Sequence, residues 1–223
     1  MQFGGTPHLI GRSIERLEAA REAIAPGNTE KVLISSVDCS SEESVVSFFD
    51  RLPAGSFDHI VCTLGEGGGC SDIRGSAGFA GLKRQFDLKF FTQMLPVSLG
   101  IDKLADGGSV VLTSGALSRR PGKGSSALST ANAALEAIVK GLANDFGPRV
   151  RVNCVSPGLT NTEMWASMPE AQREGMLKGF GSRLPLGRAG ESSDVGEAIA
   201  MLLLSEYTTG CTFDCDGGAS IRA

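Results

Sequence analysis

The apolar residues of this chain alternate between two spacings, and this alternation limits the possible folds more than any other feature of the sequence. Short apolar runs, typical of buried strands, are separated by segments in which apolar residues recur every three or four positions, as on one face of a helix. Such an alternation is typical of a parallel sheet with helices on its faces. We therefore predict a doubly wound α/β fold, and 223 residues suffice for one domain spanning residues 1–223.

The same pattern predicts the positions of the elements. Strands are predicted at residues 7–11, 31–37, 59–64, 109–113, 150–155 and 210–215. Helices are predicted at residues 14–24, 42–52, 82–104, 126–146 and 194–204. The third helix is predicted to bend near Pro96, because proline removes a helical hydrogen-bond donor. The glycine-rich stretch 65–81 is predicted to be a mobile loop, and residues 156–186 an irregular insert.

The charge balance disfavours a nucleic-acid partner, and the length of the apolar runs disfavours a membrane partner. The net charge is -4, and the scattered Lys and Arg residues form no stripe that would neutralise phosphates, which disfavours a nucleic-acid partner. No apolar run is long enough to cross a membrane, and no leader peptide opens the chain. We therefore expect a cytoplasmic protein with no membrane partner.

The cysteines are predicted to be reduced thiols packed in the core. They are Cys39, Cys62, Cys70, Cys154, Cys211 and Cys215. They show no paired spacing such as C-x-x-C, so no metal site is predicted. A catalytic thiol is not predicted either, because His8 and His59 both fall in or beside predicted strands.

Two long stretches carry motifs in a recognisable order. The first contains N-A-A-L-E at 132–136, followed by R-V-N-C-V-S-P-G at 151–158. The second, residues 184–218, contains L-P-L-G-R-A-G, T-T-G and D-G-G. Together they resemble the short-chain dehydrogenase/reductase family. The resemblance covers nearly the whole chain, and it implies a Rossmann-like fold, an oxidoreductase by descent and a nicotinamide dinucleotide cofactor.

The residues at the family's four catalytic positions do not suit its usual chemistry. In the family, a Tyr exchanges the substrate proton, a Lys lowers the pKa of that Tyr and holds the ribose, and a Ser steadies the carbonyl oxygen. Alignment through 132–136 puts Leu128 at the Tyr position, Asn132 at the Lys position and Gly115 at the Ser position. Lys89 stands where the family has its fourth residue, an Asn. The usual proton transfer is therefore not predicted.

Two side chains are candidates for a replacement catalytic group. A Lys89 that projects into the pocket would have its pKa lowered by burial or would fix an anionic ligand. The alternative is a surface Lys89 whose stem lies beside Phe90 and Phe91. Ser114, next to the position of the lost Ser, is the second candidate for a replacement donor, and its alternative is a solvated loop residue.

Residues that match the family's cofactor site point to NADP(H). Arg12 and Ser13 stand where relatives that prefer the phosphorylated cofactor place a cation for the 2′-phosphate. Asp38 resembles the family's adenine contact. The remaining matches are Gly65, after the family's fourth strand, and the residues that hold the nicotinamide amide, Pro157, Gly158, Thr160 and Thr162. The alternative for Arg12 is a solvated side chain at the start of a helix, and the alternative for Asp38 is a turn-forming residue.

The family's phosphate-binding glycine loop is not found ahead of residue 7. Residues 7–13 resemble the end of the family's second strand, and six residues cannot supply a strand and a helix. Because that loop holds the pyrophosphate, we predict that NADP(H) binding is weak or absent. Because the missing strand is central in the family's sheet, we expect a gap there or a new strand pairing.

Three functions remain open on the sequence alone. The first is a degenerate or repurposed relative, a pseudoenzyme that binds a small apolar ligand or acts by self-association. The second is an NADP(H)-dependent carbonyl or imine reductase, because hydride transfer to a polarised or cationic acceptor needs no Tyr proton. The third is a non-redox enzyme whose pocket orients a reactive intermediate, with Lys89 or an Arg supplying charge.

The resemblance also implies an oligomer and a small ligand. In the family, the helices that here contain Lys89 and Leu128 pack across subunit interfaces, so a homodimer or homotetramer is expected. Residues 165–180 would cover the pocket, and Trp165 and Met168 suggest an apolar ligand. The alternative is that these side chains form the core of a lid.

Overall fold

The computed structural model describes residues 4–65 and 73–221 and shows parallel strands alternating with helices. The predicted α/β, Rossmann-like fold is thereby confirmed. Within the described ranges, no helix is long and apolar enough to cross a membrane. Residues 66–72, which belong to the predicted glycine-rich loop and include Cys70, lie outside the described residues.

The strands pair in parallel. They are β1 (His8–Gly11), β2 (Leu33–Ser36), β3 (Phe57–Cys62), β4 (Leu104–Thr113), β5 (Val150–Pro157), β6 (Thr160–Asn161), β7 (Gly190–Glu191) and β8 (Thr212–Cys215). β1 pairs with β2, β6 pairs with β7, and the largest sheet has the order β3-β4-β5-β8. Parallel neighbours need crossover connections, and helices supply them here.

The helices follow the strands in the order expected for crossovers. They are α1 (Ile14–Ile24), α2 (Glu42–Phe49), α3 (Gly75–Gln85), α4 (Thr92–Gly100), α5 (Ser126–Phe146), α6 (Glu170–Gly181) and α7 (Ser192–Leu204). Serine caps begin the first two: the Ser13 hydroxyl accepts the N–H of Arg16, and the Ser41 hydroxyl accepts the N–H of Ser44. Such caps satisfy helix donors that otherwise have no partner.

Helices cover both faces of the four-stranded sheet and form the main core. On one face, α4 and α5 pack around the fully buried Leu112, Leu135 and Val152. On the other face, Leu202 of α7 packs with Val111. Full burial of each such side chain stabilises the fold by roughly 1.5–3 kcal/mol. These contacts hold the sheet rigidly and fix the carboxyl ends of its strands.

The parallel sheet is interrupted between β1 and β3. Within the described residues no hydrogen-bonded ladder joins these two strands. The β1–β2 unit packs on α2 through its own cluster of Val37, Val45 and Phe49. It touches β3 through the rings of His8 and Phe57, whose centres are 6.0 Å apart. The interruption lies where the resemblance placed the family's central strand.

The predicted loop at 65–81 is wrong over residues 75–81, and the predicted helix at 82–104 ends too late. The helical region begins at Gly75, and β4 begins at Leu104 rather than at Ser109. Each glycine costs a helix about 1 kcal/mol relative to alanine, which is why the sequence favoured a loop. Packing of α3 against α5 overrides that preference.

The helical region is irregular at Phe86–Phe91, which forms a π-helical segment, and not at Pro96, which lies inside α4. The Thr92 hydroxyl donates to the carbonyl of Leu88 at 2.9 Å across the end of this wider turn. Short π-helical segments are rare and occur frequently at functional sites. Lys89 lies in the middle of this one.

The prediction of an irregular insert at 156–186 is also wrong. This segment contains β6 and the twelve-residue helix α6. Gly181 is the buried residue of α6, so the helix carries no apolar stripe of the kind that marks a helix in sequence.

Candidate functional site

The carboxyl ends of β3, β4 and β5 lie side by side and carry most of the predicted site residues. β3 leads to Gly65, β4 leads to Ser114 and Gly115, and β5 ends just before Gly158. In open parallel sheets, ligands bind at the carboxyl ends of the strands. The candidate site is therefore built on the ends of the buried strands of the sheet.

Lys89 is buried at this edge of the sheet and is not a surface lysine. Its side chain is 9% exposed and lies against Gly65, so that a Cβ added there would be 2.7 Å from Lys89 Cδ and 3.1 Å from Nζ. Within residues 4–65 and 73–221, its amine has no hydrogen-bond acceptor. Burial lowers the pKa of Lys89 from 10.5 to about 8.

The titratable group that interacts electrostatically with Lys89 is the neutral thiol of Cys154. Cys154 lies on β5 and is fully buried, and burial raises the pKa of its thiol to about 11. At neutral pH this thiol is uncharged, so it does not supply a counter-ion. Lys89 is thus a largely buried lysine without an ion-pair partner among the described residues, and perturbed lysines of this kind are candidates for functional groups.

Gln93 fixes the strand ends that surround Lys89. This fully buried side chain on α4 donates to the carbonyls of Leu64 at 2.8 Å and Thr113 at 2.9 Å. Its own carbonyl oxygen accepts the Thr113 N–H at 3.0 Å. One amide thereby ties the exit of β3 to the exit of β4 and fixes the positions of Gly65 and Ser114. No motif or spacing in the sequence marks Gln93 as a site residue.

Two of the positions assigned to the family's catalytic residues pack against each other. Asn132 Nδ2 donates to the carbonyl of Gly115 at 3.4 Å, and a Cβ at Gly115 would lie 3.0 Å from that nitrogen. Asn132 Oδ1 is buried and has no hydrogen-bond partner in the described residues. Leu128, half-buried at the start of α5, has no group that can carry a proton.

Ser114 is buried, and its proton is already engaged. Its hydroxyl donates to Glu136 Oε1 at 2.9 Å. Ser118 donates to the same carboxylate, and Arg119 pairs with Glu136 at 2.9 Å and with Asp214 at 3.2 Å. A hydroxyl has one proton, so in this arrangement Ser114 faces a ligand as an acceptor. Glu136, which sequence reasoning did not single out, organises the loop after β4.

The residues assigned to the adenosine end lie on the β1–β2 unit. Arg12 is exposed after β1, and Ser13 caps α1 while donating to Glu15 at 2.7 Å. Asp38 Oδ1 accepts from the backbone and the hydroxyl of Ser40, and these bonds lower the pKa of its carboxyl. Asp38 therefore stabilises a turn, and Arg12 interacts with it electrostatically.

The two groups of predicted residues approach each other across the interruption of the sheet. Cys39 follows Asp38, and Cys62 ends β3. Burial raises the pKa of the Cys62 thiol to about 12, with a smaller contribution from Cys39. This electrostatic interaction places the turn after β2 near the exit of β3. Both thiols are free, as are those of Cys154, Cys211 and Cys215.

The segment assigned to the nicotinamide end is held firmly by its own side chains. Gly158 admits no side chain, because a Cβ would lie 2.9 Å from the backbone oxygen of Asp216. Thr160 donates to the carbonyl of Gly158 at 3.1 Å, and Trp165 Nε1 donates to the carbonyl of Thr160 at 2.9 Å. The Thr162 hydroxyl accepts the N–H of Met164. Pro157 ends β5 directly before this segment.

Comparisons of the sequence with known proteins identify the class. The model of the family described as Enoyl-(Acyl carrier protein) reductase matches residues 4–220. The short-chain dehydrogenase/reductase ATR9 of Stachybotrys chlorohalonatus is 32% identical over 179 residues, which cover 75% of this chain and 66% of ATR9, just under two thirds. Carbonyl reductase family member 4 of Danio rerio is 28% identical over 217 residues, covering 96% of this chain and 86% of the relative. The chain belongs to the short-chain dehydrogenase/reductase family of oxidoreductases.

Two solved structures share the fold over nearly the full chain. A small-chain dehydrogenase in complex with NADPH is 33% identical with a TM-score of 0.80, covering 97% of this chain and 99% of that chain. An NADPH-bound short-chain oxidoreductase of Pseudomonas aeruginosa PAO1, described as containing an atypical catalytic center, is 26% identical with a TM-score of 0.85. It covers 100% of this chain and 90% of its own.

Proposed function

We propose that this protein is an NADP(H)-dependent oxidoreductase whose reaction site is organised around Lys89. The observation that carries the proposal is the largely buried Lys89, which lies at the carboxyl edge of the sheet without an acceptor among the described residues. Strongly perturbed lysines in such positions are candidates for functional groups. The resemblance puts an Asn at position 89 and a Lys at position 132, so the cation has moved to the opposite helix.

The polar groups of this chain fit a dinucleotide at both of its ends. At the nicotinamide end, Asn132 Oδ1 lacks a donor among the described residues and Lys89 lacks an acceptor. At the other end, Arg12 offers a guanidinium for a phosphate. NADPH would supply a hydride to the substrate. Because the uncharged Asn132 stands where the family has the Lys that holds the ribose, we expect binding weaker than micromolar.

Lys89 would replace the proton donor that the family places on α5. With a pKa of about 8, the Lys89 amine is mostly protonated at pH 7. It binds its proton less tightly than an ordinary lysine does. A buried ammonium stabilises charge that develops on a ligand oxygen more strongly than a solvated one. Its proton is also easier to transfer than that of an ordinary lysine. A polarised carbonyl compound suits such a site.

A second candidate function is ligand binding or self-association without turnover. Two observations favour it. The described side chains at positions 115, 128 and 132 carry no transferable proton, and the Ser114 proton is engaged by Glu136. In addition, Phe79 is 56% exposed on α3 and Phe91 is 54% exposed on the segment that follows it. These rings would pack in the homodimer or homotetramer that the resemblance implies.

The two candidate functions differ in whether the protein oxidises NADPH: the reductase does, and a protein that only binds a ligand or self-associates does not. We would follow NADPH absorbance with a panel of small aldehydes, ketones and cyclic imines, for the wild type, Lys89→Met and, as a control, the exposed Lys140→Met. The reductase proposal expects turnover of at least one carbonyl compound, a loss of about a hundredfold or more in Lys89→Met, and no change in Lys140→Met. Equal rates in the wild type and Lys89→Met would refute the role of Lys89.

A further inference from the structure

A cavity of about 250 Å³ lies between the end of β2 and the helix α2 with the residues that follow it. Its lining residues are Ser35, Ser36, Val37, Ser44, Ser47, Phe48 and Arg51. Four of these side chains carry a hydroxyl and one carries a guanidinium, whereas none of the lining residues is acidic. The lining also includes none of the residues that the proposed function uses, so that function leaves this cavity unexplained.

Two serines of α2 have hydroxyl protons available for a ligand. The Ser44 hydroxyl accepts the N–H of Asp38 at 3.0 Å, and the Ser47 hydroxyl accepts from Arg51 Nη2 at 2.8 Å. A hydroxyl that accepts a hydrogen bond still has its own proton to donate. Among the described residues, neither serine donates that proton to another group. Both can therefore donate to an acceptor in the cavity.

Arg51 supplies a positive charge and is held in place. Its Nε donates to the carbonyl of Ser47 at 2.6 Å, in addition to the bond from Nη2 to the Ser47 hydroxyl. In the part of the chain that the structure describes, no carboxylate forms an ion pair with Arg51. A guanidinium that is already fixed loses less conformational freedom when it binds an anion.

The spacing of these residues puts the three donors on one side of the helix. Ser44, Ser47 and Arg51 follow one another at intervals of three and four residues, which brings side chains to the same helical face. All three line the same cavity. One small anion in this cavity can therefore accept hydrogen bonds from two hydroxyls and from the guanidinium.

We propose that this cavity binds a phosphate group. Phosphate pairs strongly with arginine and has oxygens in several directions, whereas a carboxylate has two oxygens in one plane. The cavity is smaller than the roughly 300 Å³ or more that is typical for drug-sized ligands, so it suits a small ion or the end of a larger ligand. Inorganic phosphate and the phosphate of a small ester share this chemistry. The inference is independent of the proposed function, because it involves neither Lys89 nor NADPH.

The test is a titration of the wild-type protein at pH 7, followed by the backbone amide signals in NMR spectra. Sodium phosphate replaces sodium chloride at constant ionic strength, which keeps the screening of surface charges unchanged. We expect the signals of Ser44, Ser47 and Arg51 to shift and to saturate in the millimolar range. Shifts that do not saturate, or that spread evenly over the surface, would show an adventitious ion only and would overturn the proposal.

Two further titrations identify the chemistry and the source of the phosphate. Sodium acetate should bind more weakly than phosphate at the same ionic strength, and equal binding of acetate would overturn the choice of phosphate. Phenyl phosphate is the probe for an ester. Tighter binding of phenyl phosphate than of inorganic phosphate would support an ester as the ligand, and the reverse order would support the free ion.

A matched pair of arginine variants tests the residue that carries the charge. Arg51→Gln should weaken phosphate binding about tenfold or more, because a hydrogen bond to a charged group is lost. Arg16→Gln, on the exposed side of α1, removes the same charge and should leave the affinity unchanged. Ser47→Ala should weaken binding severalfold while keeping the charge. Equal affinities in the wild type and Arg51→Gln, or a loss of binding in Arg12→Gln instead, would overturn the proposal.

Discussion

At the scale of single residues, the altered catalytic positions are fitted to their neighbours. Lys89 occupies the space over Gly65, and Asn132 bonds the backbone of Gly115 at a distance that leaves little room for a side chain. Gly65 is a residue that matches the family, whereas Gly115 and Asn132 both differ from it. The contact between Gly115 and Asn132 therefore joins two altered positions, and Lys89 is accommodated by a glycine that the family already has.

Burial of the Lys89 ammonium should cost stability, and Lys89→Met should recover it. The pKa of Lys89 is about 8 in the folded protein and 10.5 in the unfolded chain. Below pH 8 the amine is protonated in both states, so burial of the ammonium destabilises the folded protein. Between pH 8 and 10.5 the unfolded chain binds more protons, so wild-type stability rises with pH. At pH 7, Lys89→Met should be more stable by up to about 3 kcal/mol.

Urea unfolding of both proteins from pH 7 to 10 measures this difference. Methionine suits the space because it is unbranched and flexible. The advantage of Lys89→Met should shrink as the pH rises above 8. A variant that is less stable than the wild type at pH 7, with the same pH dependence, would show that the ammonium is not destabilising in the fold.

At the scale of elements, α4 and the π-helical segment connect the site to the sheet. Gln93 ties α4 to the exits of β3 and β4, while the preceding segment, Phe86–Phe91, carries Lys89. A shift of α4 would therefore move Gly65 and Ser114 through the bonds of Gln93, and it would move Lys89 through the preceding segment. The position of the candidate site depends on one buried amide.

Gln93→Leu should destabilise the protein strongly. It leaves the carbonyls of Leu64 and Thr113 and the N–H of Thr113 without their present partner, at about 1–3 kcal/mol for each buried group. We expect a loss of at least about 3 kcal/mol in urea unfolding, whereas Gln172→Leu on the exposed face of α6 should change stability by less than about 0.5 kcal/mol. Similar values for both variants would mean that the bonds of Gln93 contribute little.

The elements that the sequence failed to predict lack a local signal. α3 contains three glycines and α6 buries only a glycine among its residues, so neither shows the apolar stripe that identifies α5. The π-helical segment has no sequence pattern of its own. In contrast, α1, α2, α5 and α7 lie close to their predicted ranges because their apolar residues recur at helical spacing, and the caps of α1 and α2 are encoded locally by Ser13 and Ser41.

The candidate site was predictable only where a family motif marks it. Lys89, Ser114 and the segment after β5 were found through the resemblance. Gln93 and Glu136 were not, since their partners lie far away in sequence: Gln93 bonds a residue 29 positions earlier, and Glu136 bonds Ser114, 22 positions earlier. Such long-range bonds emerge only once the strands are placed side by side.

At the scale of the whole molecule, exposed aromatic rings on the helical side suggest how copies would meet. Phe79 lies on α3, and Phe91 lies in the π-helical segment that belongs to the predicted helix at 82–104, the helix that the resemblance assigns to a subunit interface. Exposed aromatic rings are candidates for contact with another copy of the chain. The interruption between β1 and β3 is a second feature at this scale, and it separates the adenosine-end residues from the rest.

Phe79→Asp should weaken the expected oligomer. The new carboxylate would pair with Lys83, which now lies over the Phe79 ring, so the helix should persist while the apolar contact is lost. Light scattering after size exclusion should give a dimer or tetramer for the wild type and a lower mass for Phe79→Asp. Tyr207→Asp, in an exposed turn, is the control. A monomeric wild type, or an unchanged mass in Phe79→Asp, would exclude this interface.

The most direct measurement is a fluorescence titration of NADPH into the wild type, Lys89→Met and Lys140→Met. If Lys89 works in a dinucleotide site, the wild type saturates with an affinity weaker than micromolar, Lys89→Met binds about tenfold more weakly, equivalent to ~1.4 kcal/mol, and Lys140→Met matches the wild type. No saturable binding by the wild type, or an equal affinity in Lys89→Met, would contradict the account.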